Sequence, residues 1–253
     1  MSYSVFARHY DTLTDNVDYA ARAKYFDSLI HRYNLGEGRL LLDLACGTGS
    51  LTLALADLGY ECIGVDGSQE MLSMAYTKTG ILEKPPLFLC QDMEELDLYG
   101  TVDVAVCALD SLNHITAEAD LREVFHRVGL FTNPGGLFLF DVNTFYKHQN
   151  ILGDSVFVLE KPSVYCVWQN AFSSQDGVVE VTLDFFEKLE SGRYNRSREC
   201  FCERAYPISV WEKLLEQAGF ELLAIFHEDS FEPPQESSER LVFAARKKEQ
   251  ERN

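Results

Sequence analysis

The segment 43–50 combines residue types that suit the binding of a small ligand. It reads Asp-Leu-Ala-Cys-Gly-Thr-Gly-Ser and comes directly after an apolar run. The small residues Ala45, Gly47 and Gly49 permit a tight turn, and they allow the backbone to approach a ligand closely. A dinucleotide-binding fingerprint would place a third glycine at position 52, which is Thr52 in this chain. The segment is therefore typical of nucleotide-binding folds in general but departs from the dehydrogenase pattern.

Two carboxylates follow the next apolar runs of the chain. Asp66 ends the run 62–66, where a carboxylate can accept hydrogen bonds from both ribose hydroxyls of an adenosine. Asp92 and Met93 follow the run 87–90, and they pair an acceptor for an exocyclic amine with an apolar surface for a purine ring. Together with the small-residue turn, these positions predict a site for adenosine without a pyrophosphate. Asp66 is the most informative of them, because a carboxylate at that place has no comparable structural role.

Five short apolar runs must position these residues. Helical stretches separate the runs, which span 40–44, 62–66, 87–90, 102–106 and 137–141. Near-continuous apolar runs of this length are typical of parallel strands buried on both faces, with crossover helices between them. The carboxyl ends of such strands meet at the edge where open α/β sheets bind ligands. The pattern predicts an α/β fold with a doubly wound, mostly parallel sheet.

Polar residues predict where two of the helices begin. Thr116 is suited to cap a helix that carries Leu121 and ends before the Asn-Pro-Gly-Gly segment at 133–136. Ser209 and Glu212 have the spacing of a capping box, ahead of a second amphipathic helix. Both helices support the doubly wound arrangement.

Residues 150–206 follow a different pattern from the rest of the chain. Aromatic-rich runs that alternate apolar and polar residues are separated there by short turns, and they span 164–172, 178–186 and 194–206. Such alternation predicts an antiparallel meander. The chain would then consist of a core formed by residues 1–149 and 207–253, with the meander inserted into it as a lid over the substrate.

Composition argues against several classes of function. The chain has 253 residues, with 22 Lys and Arg against 40 Asp and Glu and a formal net charge of −18. A strongly acidic chain is poorly suited to a phosphate backbone, so no nucleic-acid partner is expected. No run approaches the roughly 18 apolar residues of a membrane span, and residues 1–15 lack the apolar segment of a signal peptide. Seven scattered cysteines without a C-x-x-C pair fit a reducing cytoplasm, and they predict neither disulfides nor a metal site.

The combined motifs resemble those of the class I S-adenosylmethionine-dependent methyltransferases. They comprise D-L-A-C-G-T-G from residue 43, G-V-D-G-S-Q-E-M-L from residue 64 and Q-D-M from residue 91. The resemblance extends to W-x-x-L-x-x-x-A-G-F from residue 211 and to the final predicted strand. The opening Y-x-x-F-A-x-x-Y-D, from residue 3, is similar to bacterial small-molecule members, including amino-sugar N,N-dimethyltransferases. The resemblance implies a Rossmann-like sheet of seven strands whose last strand is antiparallel.

The resemblance also implies which residues face the methionine part of the cofactor, S-adenosylmethionine. Asp43, Ala45 and Gly47 would lie against it, although the family usually has glycine at the position of Ala45. Tyr19 and Arg22, from the N-terminal segment, would grip the cofactor carboxylate. Many relatives lack an arginine at the position of Arg22.

For the rest of the cofactor, the resemblance implies contacts after three successive strands. Asp66 would bind the ribose, Met71 would pack on the adenine, and Asp92 together with Met93 would hold it. The backbone on the sulfonium side would be that of Ala108 and Leu109.

The segment 110–114, Asp-Ser-Leu-Asn-His, follows the fourth predicted strand on the substrate side. In the amino-sugar methyltransferase pattern a histidine falls at the position of His114, which could act as a general base or orient the acceptor. Asp110 would lie on the same side, Asn143 could touch the acceptor, and Tyr10 could close over it. Three of them have a structural alternative: His114 could cap the following helix or lie in the core with its hydrogen bonds satisfied, Tyr10 could pack beneath the N-terminal helix, and Asn143 could form an ordinary turn.

We therefore expect a cytoplasmic S-adenosylmethionine-dependent methyltransferase that acts on nitrogen or oxygen of a small molecule, as a monomer or a homodimer. Methyl transfer requires alignment of nucleophile, methyl group and sulfur and the exclusion of water, with a base only when the nucleophile arrives protonated. One alternative is an NAD(P)-dependent oxidoreductase, which the missing third glycine disfavours. The other is a non-catalytic cofactor-binding protein that has kept the fold. A sulfur acceptor and an aminopropyl transferase also stay open.

Overall fold

The strands of the protein form two sheets in the computed structural model, which describes residues 4–33, 38–80 and 84–249. In chain order, the strands of the described residues are β1 (Leu40–Leu44), β2 (Glu61–Asp66), β3 (Leu87–Cys90), β4 (Val102–Cys107), β5 (Thr132–Asn143), β6 (Val156–Glu160), β7 (Val164–Ser173), β8 (Val178–Lys188), β9 (Tyr194–Arg204), β10 (Phe220–His227) and β11 (Arg240–Lys247).

The larger sheet has seven strands in the order β3-β2-β1-β4-β5-β11-β10. Strands β1 to β5 pair in parallel, whereas β11 is antiparallel to both of its neighbours, β5 and β10. The chain order reverses at β1, so one crossover goes to each side of that strand and leaves a crevice at the carboxyl edge. The predicted doubly wound sheet of seven strands, with an antiparallel last strand, is confirmed.

Helices cover both faces of this sheet. On one face, Phe125 and Trp211 pack with Phe140 of β5, while on the other Phe26 and Leu51 lie in a second core cluster. None of the described helices is long and apolar enough to cross a membrane. The helices are α1 (Ser4–Leu13), α2 (Tyr19–Arg32), α3 (Ser50–Asp57), α4 (Gln69–Lys78), α5 (Glu118–Phe131) and α6 (Ile208–Gln217).

The two predicted helix caps are wrong. α5 begins after Ala117, and no side chain caps it, so Thr116 lies one residue too early. Acidic residues in the first turn of α5 interact favourably with the helix dipole instead. α6 begins after Pro207, which places Ser209 inside the first turn rather than at the cap.

The inserted segment forms the smaller sheet, with four antiparallel strands in the order β6-β7-β8-β9. The three runs predicted from alternation correspond to β7, β8 and β9. Strand β6 was not predicted, because most of its residues are exposed and it lies at the edge of the sheet, where no alternation of burial is required. One face of the sheet is buried through a cluster that includes Cys166, Val181, Phe185 and Phe201.

Hydrogen bonds attach the smaller sheet to the core close to the end of β4. The Asn113 Nδ2 atom donates to the carbonyl of Asn143 at 3.1 Å and to that of Arg204 at 2.9 Å. The Asn143 amide in turn donates to Asn113 Oδ1 at 2.9 Å. Asn113 is fully buried, so these bonds also satisfy a side-chain amide that would otherwise be costly to bury.

Candidate active site

The turn between β1 and α3 adopts the left-handed conformation at three of its small residues. The φ angles are +58° at Ala45, +54° at Gly47 and +73° at Gly49. A Cβ atom at Gly49 would lie 2.9 Å from the ring of Phe88, so packing excludes a side chain there. At Gly47 a Cβ atom would meet no atom of the described residues within 4 Å, because this residue faces open space. The turn thus presents bare backbone to a cavity.

Asp66 fixes this turn from the end of β2, so the expectation that a carboxylate at this place has no structural role is wrong. Its Oδ2 atom accepts a hydrogen bond from the Gly47 amide at 2.8 Å, and its Oδ1 atom accepts one from the Ser68 amide at 2.8 Å. Burial raises the pKa of Asp66, although the two amide bonds oppose that shift. Each oxygen keeps a further lone pair with which the carboxylate can accept a ligand hydroxyl.

A cavity of about 410 Å³ lies at the carboxyl edge of the large sheet, and we call it the strand-end cavity. It brings together seven of the residues predicted to hold the cofactor, namely Ala45, Gly47, Asp66, Met71, Asp92, Met93 and Leu109. Phe6, Tyr10 and His114 also line its wall. The fold therefore brings predicted residues from the ends of several strands together in one cavity.

Three more predicted residues, Tyr19, Asp43 and Ala108, line a small adjoining cavity of about 40 Å³. Asp43 is 2% exposed, and its Oδ2 atom accepts a 2.6 Å hydrogen bond from the Thr52 hydroxyl. Burial raises the pKa of Asp43 to about 7 despite that bond. Burial also raises the pKa of Tyr19. A cationic group of a ligand would favour the ionised form of Asp43.

Arg22, the remaining residue predicted for the cofactor, lines neither of these cavities. Its guanidinium forms ion pairs with Asp141 at 2.9 Å and with Asp229 at 3.1 Å. Asp141 is fully buried and also accepts hydrogen bonds from the amides of Leu109 and Asp110. A buried carboxylate requires such partners, and Arg22 is one of those of Asp141. Its contact with the cofactor carboxylate stays a prediction.

Asp110 is held in an ion pair beside the same network. Arg240 contacts Asp110 at 2.6 Å and also pairs with Asp141. Burial opposes the ionised form of Asp110, but Arg240 and Lys147 together hold its pKa below the ordinary value. Asp110 is therefore an anion that already has its counter-ion.

A second cavity, of about 460 Å³, lies between the core and the inserted sheet, and we call it the meander cavity. Its inserted-sheet side is largely apolar, with Phe157, Leu159, Trp168 and Leu183. Its polar residues are Asp110, His114, Asn143, Lys147 and Arg240 on the core side, together with Glu203 on β9 of the inserted sheet. Four residues line both this cavity and the strand-end cavity, namely Phe6, Tyr10, Leu109 and His114.

The predicted substrate residues Tyr10, Asp110, His114 and Asn143 all line the meander cavity. Burial raises the pKa of Tyr10 well above its ordinary value, so its hydroxyl stays protonated. Asn143 is buried, and its side chain accepts a 3.0 Å hydrogen bond from Lys147. His114 ends the short 3₁₀ turn Ser111–His114 and does not cap α5.

Sequence reasoning missed Glu203, Lys147 and Arg240 as residues of this cavity. Glu203 had a detectable signal, since it lies two residues after Phe201 on β9 and must therefore share its inward face. Asp110, His114 and Glu203 bring potential ligand atoms within 4.8 Å of one another. Arg240 already neutralises Asp110, however, and its positive charge is unfavourable for the binding of a metal ion beside it.

Comparison with known proteins agrees with this geometry. A family model described as a methyltransferase domain matches residues 41–136. The chain is 34% identical over 248 residues to YqeM of Bacillus subtilis strain 168, a protein named as a candidate methyltransferase, with 98% of each chain covered. It is 33% identical to a crystal structure from Clostridium acetobutylicum ATCC 824, described as an S-adenosylmethionine-dependent methyltransferase, with a TM-score of 0.87 and coverage of 98% of this chain and 99% of that one.

The fold is also shared with the sugar N-methyltransferase KedS8 from Streptoalloteichus sp. ATCC 53650, at 22% identity and a TM-score of 0.77, over 98% of this chain and 94% of that one. The family is assigned from the identity of 34% to YqeM and 33% to the Clostridium acetobutylicum protein, each over 98% of this chain. The small-residue turn, the carboxylate at the end of β2 and the cavity between them fit the adenosine of the family's cofactor. The chain belongs to the class I S-adenosylmethionine-dependent methyltransferases.

Proposed function

We propose that this enzyme transfers a methyl group to nitrogen or oxygen of a small-molecule acceptor that occupies the meander cavity. One observation carries the proposal: the strand-end cavity and the meander cavity share Phe6, Tyr10, Leu109 and His114. A donor in one cavity and an acceptor in the other would therefore meet at these residues.

In this proposal the strand-end cavity and its small neighbour hold S-adenosylmethionine. Asp66 binds the ribose, and Gly47 supplies backbone that a ligand can approach because no side chain fills the space beside it. The adenine lies among Met71, Asp92 and Met93. The residues assigned to the methionine part and the sulfonium are Tyr19, Asp43, Ala45, Ala108 and Leu109.

When bound, S-adenosylmethionine supplies an electrophilic methyl group on a sulfonium that is a good leaving group. The protein must then position the acceptor, exclude water and take up a proton where the acceptor carries one. We assign proton uptake to His114, at the junction of the two cavities. Tyr10 and Asn143 would orient the acceptor, and Asp110 would position Arg240 in the cavity wall.

The shape of the meander cavity favours an amphipathic small molecule. An apolar portion would pack against Phe157, Trp168 and Leu183, while a polar portion would reach the charged groups of the core side. The inserted sheet would thus act as the lid that selects the acceptor. The fold that the chain shares with a sugar N-methyltransferase supports a nitrogen acceptor.

Transfer of an isotopic label would test the proposal. The purified protein is incubated with trideuteromethyl S-adenosylmethionine and a Bacillus subtilis metabolite extract, and mass spectrometry identifies any compound that gains the labelled methyl group. We expect one class of amine or hydroxyl compound to be labelled. His114→Asn should reduce the transfer about 100-fold or more, which is the lower range for a general base, and the exposed His126→Asn on α5 is the matched control.

Two outcomes would contradict the proposal. One is label that appears in protein or nucleic acid while no small molecule is labelled. The other is a native protein that binds S-adenosylhomocysteine and yet labels no compound with any class of nucleophile, which would favour a non-catalytic cofactor-binding protein.

A further inference from the structure

We propose that Glu203, on the last strand of the inserted sheet, is a positioning residue that holds His114 in the tautomer with its proton on Nε2. The inference rests on the proposed function, in which His114 takes up the acceptor proton. Glu203 is 5% exposed, and its carboxylate lies at the wall of the meander cavity. The inserted sheet would then contribute to the chemistry as well as to acceptor selection.

The carboxylate of Glu203 lies between two imidazole rings. Its Oε1 atom is 3.8 Å from His114 Nε2, and its Oε2 atom is 3.5 Å from His148 Nε2. The side-chain amide of Asn143 donates a 3.3 Å hydrogen bond to Oε2. Hydrogen bonds of catalytic groups are often long before ligands bind and tighten in the complex. The arrangement can therefore support a carboxylate-histidine pair.

The surroundings of His114 indicate which ring nitrogen carries its proton. A carboxylate accepts hydrogen bonds when ionised, so the Nε2 atom that faces Glu203 is favoured as the donor. The Nδ1 atom of His114 is buried and makes no hydrogen bond to the described residues. In the neutral ring with the proton on Nε2, Nδ1 keeps the lone pair that takes up the proton of the acceptor. This atom has almost no exposed surface, so the acceptor must displace the side chains that cover it.

Packing and a hydrogen bond hold the segments that carry Glu203 and His114 side by side. The His114 ring lies 5.0 Å, centroid to centroid, from Phe201, which shares the inward face of β9 with Glu203. Asn113, next to His114, is bonded to the backbone of Arg204, next to Glu203. The two catalytic-site segments are thus joined on both sides of the pair, so the carboxylate has a fixed position relative to the ring.

Two other carboxylates lie near His114, but each has its own partners. Asp66 accepts hydrogen bonds from two backbone amides, and Asp110 is paired with Arg240. Among the described residues, no arginine or lysine forms an ion pair with Glu203, whose Oε2 atom faces the Asn143 amide and the His148 ring and whose Oε1 atom faces His114. Glu203 is therefore the carboxylate best placed to balance the charge on His114 when the ring takes up a proton. The acceptor would lose that proton as its lone pair forms the new bond to the methyl carbon, while the bond from this carbon to the sulfonium sulfur breaks and its electron pair stays on sulfur.

The tautomer of His114 tests this proposal without any acceptor. Protein labelled with nitrogen-15 at histidine is studied by NMR as its complex with S-adenosylhomocysteine, above the pH at which histidine is protonated. We expect the native His114 ring to carry its proton on Nε2 alone, and Glu203→Gln to populate both tautomers. A native ring protonated on Nδ1, or a Gln variant with an unchanged ring, would overturn the proposal.

Kinetics provide a second test, with the labelled methyl donor and the metabolite extract described above. Glu203→Gln should lower kcat roughly 10- to 100-fold, which is a smaller loss than that expected for His114→Asn. The KM for S-adenosylmethionine and the affinity for S-adenosylhomocysteine should change less than about twofold. The exposed Glu180→Gln on β8 is the matched control. The double variant with His114→Asn should be no slower than His114→Asn alone, because Glu203 acts through that ring.

Multiplied losses in the double variant would show that Glu203 acts independently of His114 and would refute the positioning role. If native protein labels no compound, the proposed function fails, and the NMR result still decides the role of Glu203 toward the ring. The two failures are therefore distinguishable.

Discussion

Asp66→Asn is the substitution that most directly tests the assignment of the strand-end cavity. The carboxylate accepts one backbone amide on each oxygen, from Gly47 and Ser68, at 2.8 Å each. An asparagine side chain offers a single oxygen, and its amide nitrogen cannot accept a hydrogen bond. One of the two backbone amides must therefore lose its acceptor, and a ligand hydroxyl loses a charged one.

The expected magnitude follows from these two losses. A hydrogen bond to a charged group contributes about 1.5–3 kcal/mol, so the affinity for S-adenosylhomocysteine should fall roughly 10- to 100-fold at about 1.4 kcal/mol per factor of ten. The orphaned amide should separately cost about 1–3 kcal/mol of stability. Burial raises the pKa of Asp66, so the native affinity should decline on acidification at a higher pH than for an ordinary aspartate, and the Asn variant should lack this decline.

Isothermal titration calorimetry with S-adenosylhomocysteine measures the affinity, and urea denaturation of the unliganded protein measures the stability. Asp57→Asn, at the exposed end of α3, is the matched control and should alter neither quantity. An Asp66→Asn affinity within twofold of the native value would refute the assignment of the ribose to this carboxylate. Binding of NAD(H) in place of S-adenosylhomocysteine would refute the assignment of the whole cavity.

Three further predictions concern stability and the N-terminal helix. Asp43 has a pKa of about 7 in the folded protein against an ordinary value of 3.8, so its contribution to folding stability is largest below about pH 4 and is lost as the pH rises to 7. Over that range, the unfolding free energy of Asp43→Asn should rise by up to about 4 kcal/mol relative to the native protein in urea denaturation. A difference between the two proteins that does not change with pH would contradict this. Asp11 contacts Lys78 and the Thr48 hydroxyl at 2.5 Å each, so Asp11→Asn should release S-adenosylhomocysteine up to about fivefold faster in stopped-flow measurements, as expected for the loss of at most about 1 kcal/mol, and an unchanged rate would show that α1 does not retain the ligand. Trp211 is fully buried, and Trp211→Ala should cost about 3–5 kcal/mol of unfolding free energy, whereas a loss below about 1 kcal/mol would mean that the core refills the space.

The central strands β1, β4 and β5 of the large sheet were predictable because burial on both faces leaves a continuous apolar run in the sequence. β2 and β3 are only partly buried, but each keeps a short apolar run. The small-residue turn was predictable because a left-handed backbone and the contact of Gly49 with Phe88 restrict residue type. The helix starts were not, since Thr116 and Ser209 have ordinary capping chemistry but the chain begins each helix elsewhere. Capping contributes only about 1 kcal/mol, which tertiary contacts readily exceed.

The site was predictable only where its residues follow strands directly. Asp66 and Asp92 could be found from the run before each of them. The pairing of Arg22 with Asp141 could not, because nothing local reveals which buried carboxylate needs a cation. Arg240 reaches the meander cavity from β11, far along the chain, so finding it required the tertiary structure. The alternation of β9 could place Glu203 on the inward face of the inserted sheet, but it could not show which part of the core lies opposite.

Helix α1 connects the two halves of the molecule. Glu199 of the inserted sheet accepts hydrogen bonds from the backbone amides of Val5 and Phe6 at one end of α1. At the other end, Asp11 accepts a hydrogen bond from Thr48 in the turn between β1 and α3. Between these ends, Phe6 and Tyr10 line both the strand-end cavity and the meander cavity. A ligand that orders this helix from one side lowers the entropy that the second ligand must lose. Donor and acceptor should therefore raise each other's affinity by the same factor, as thermodynamic reciprocity demands.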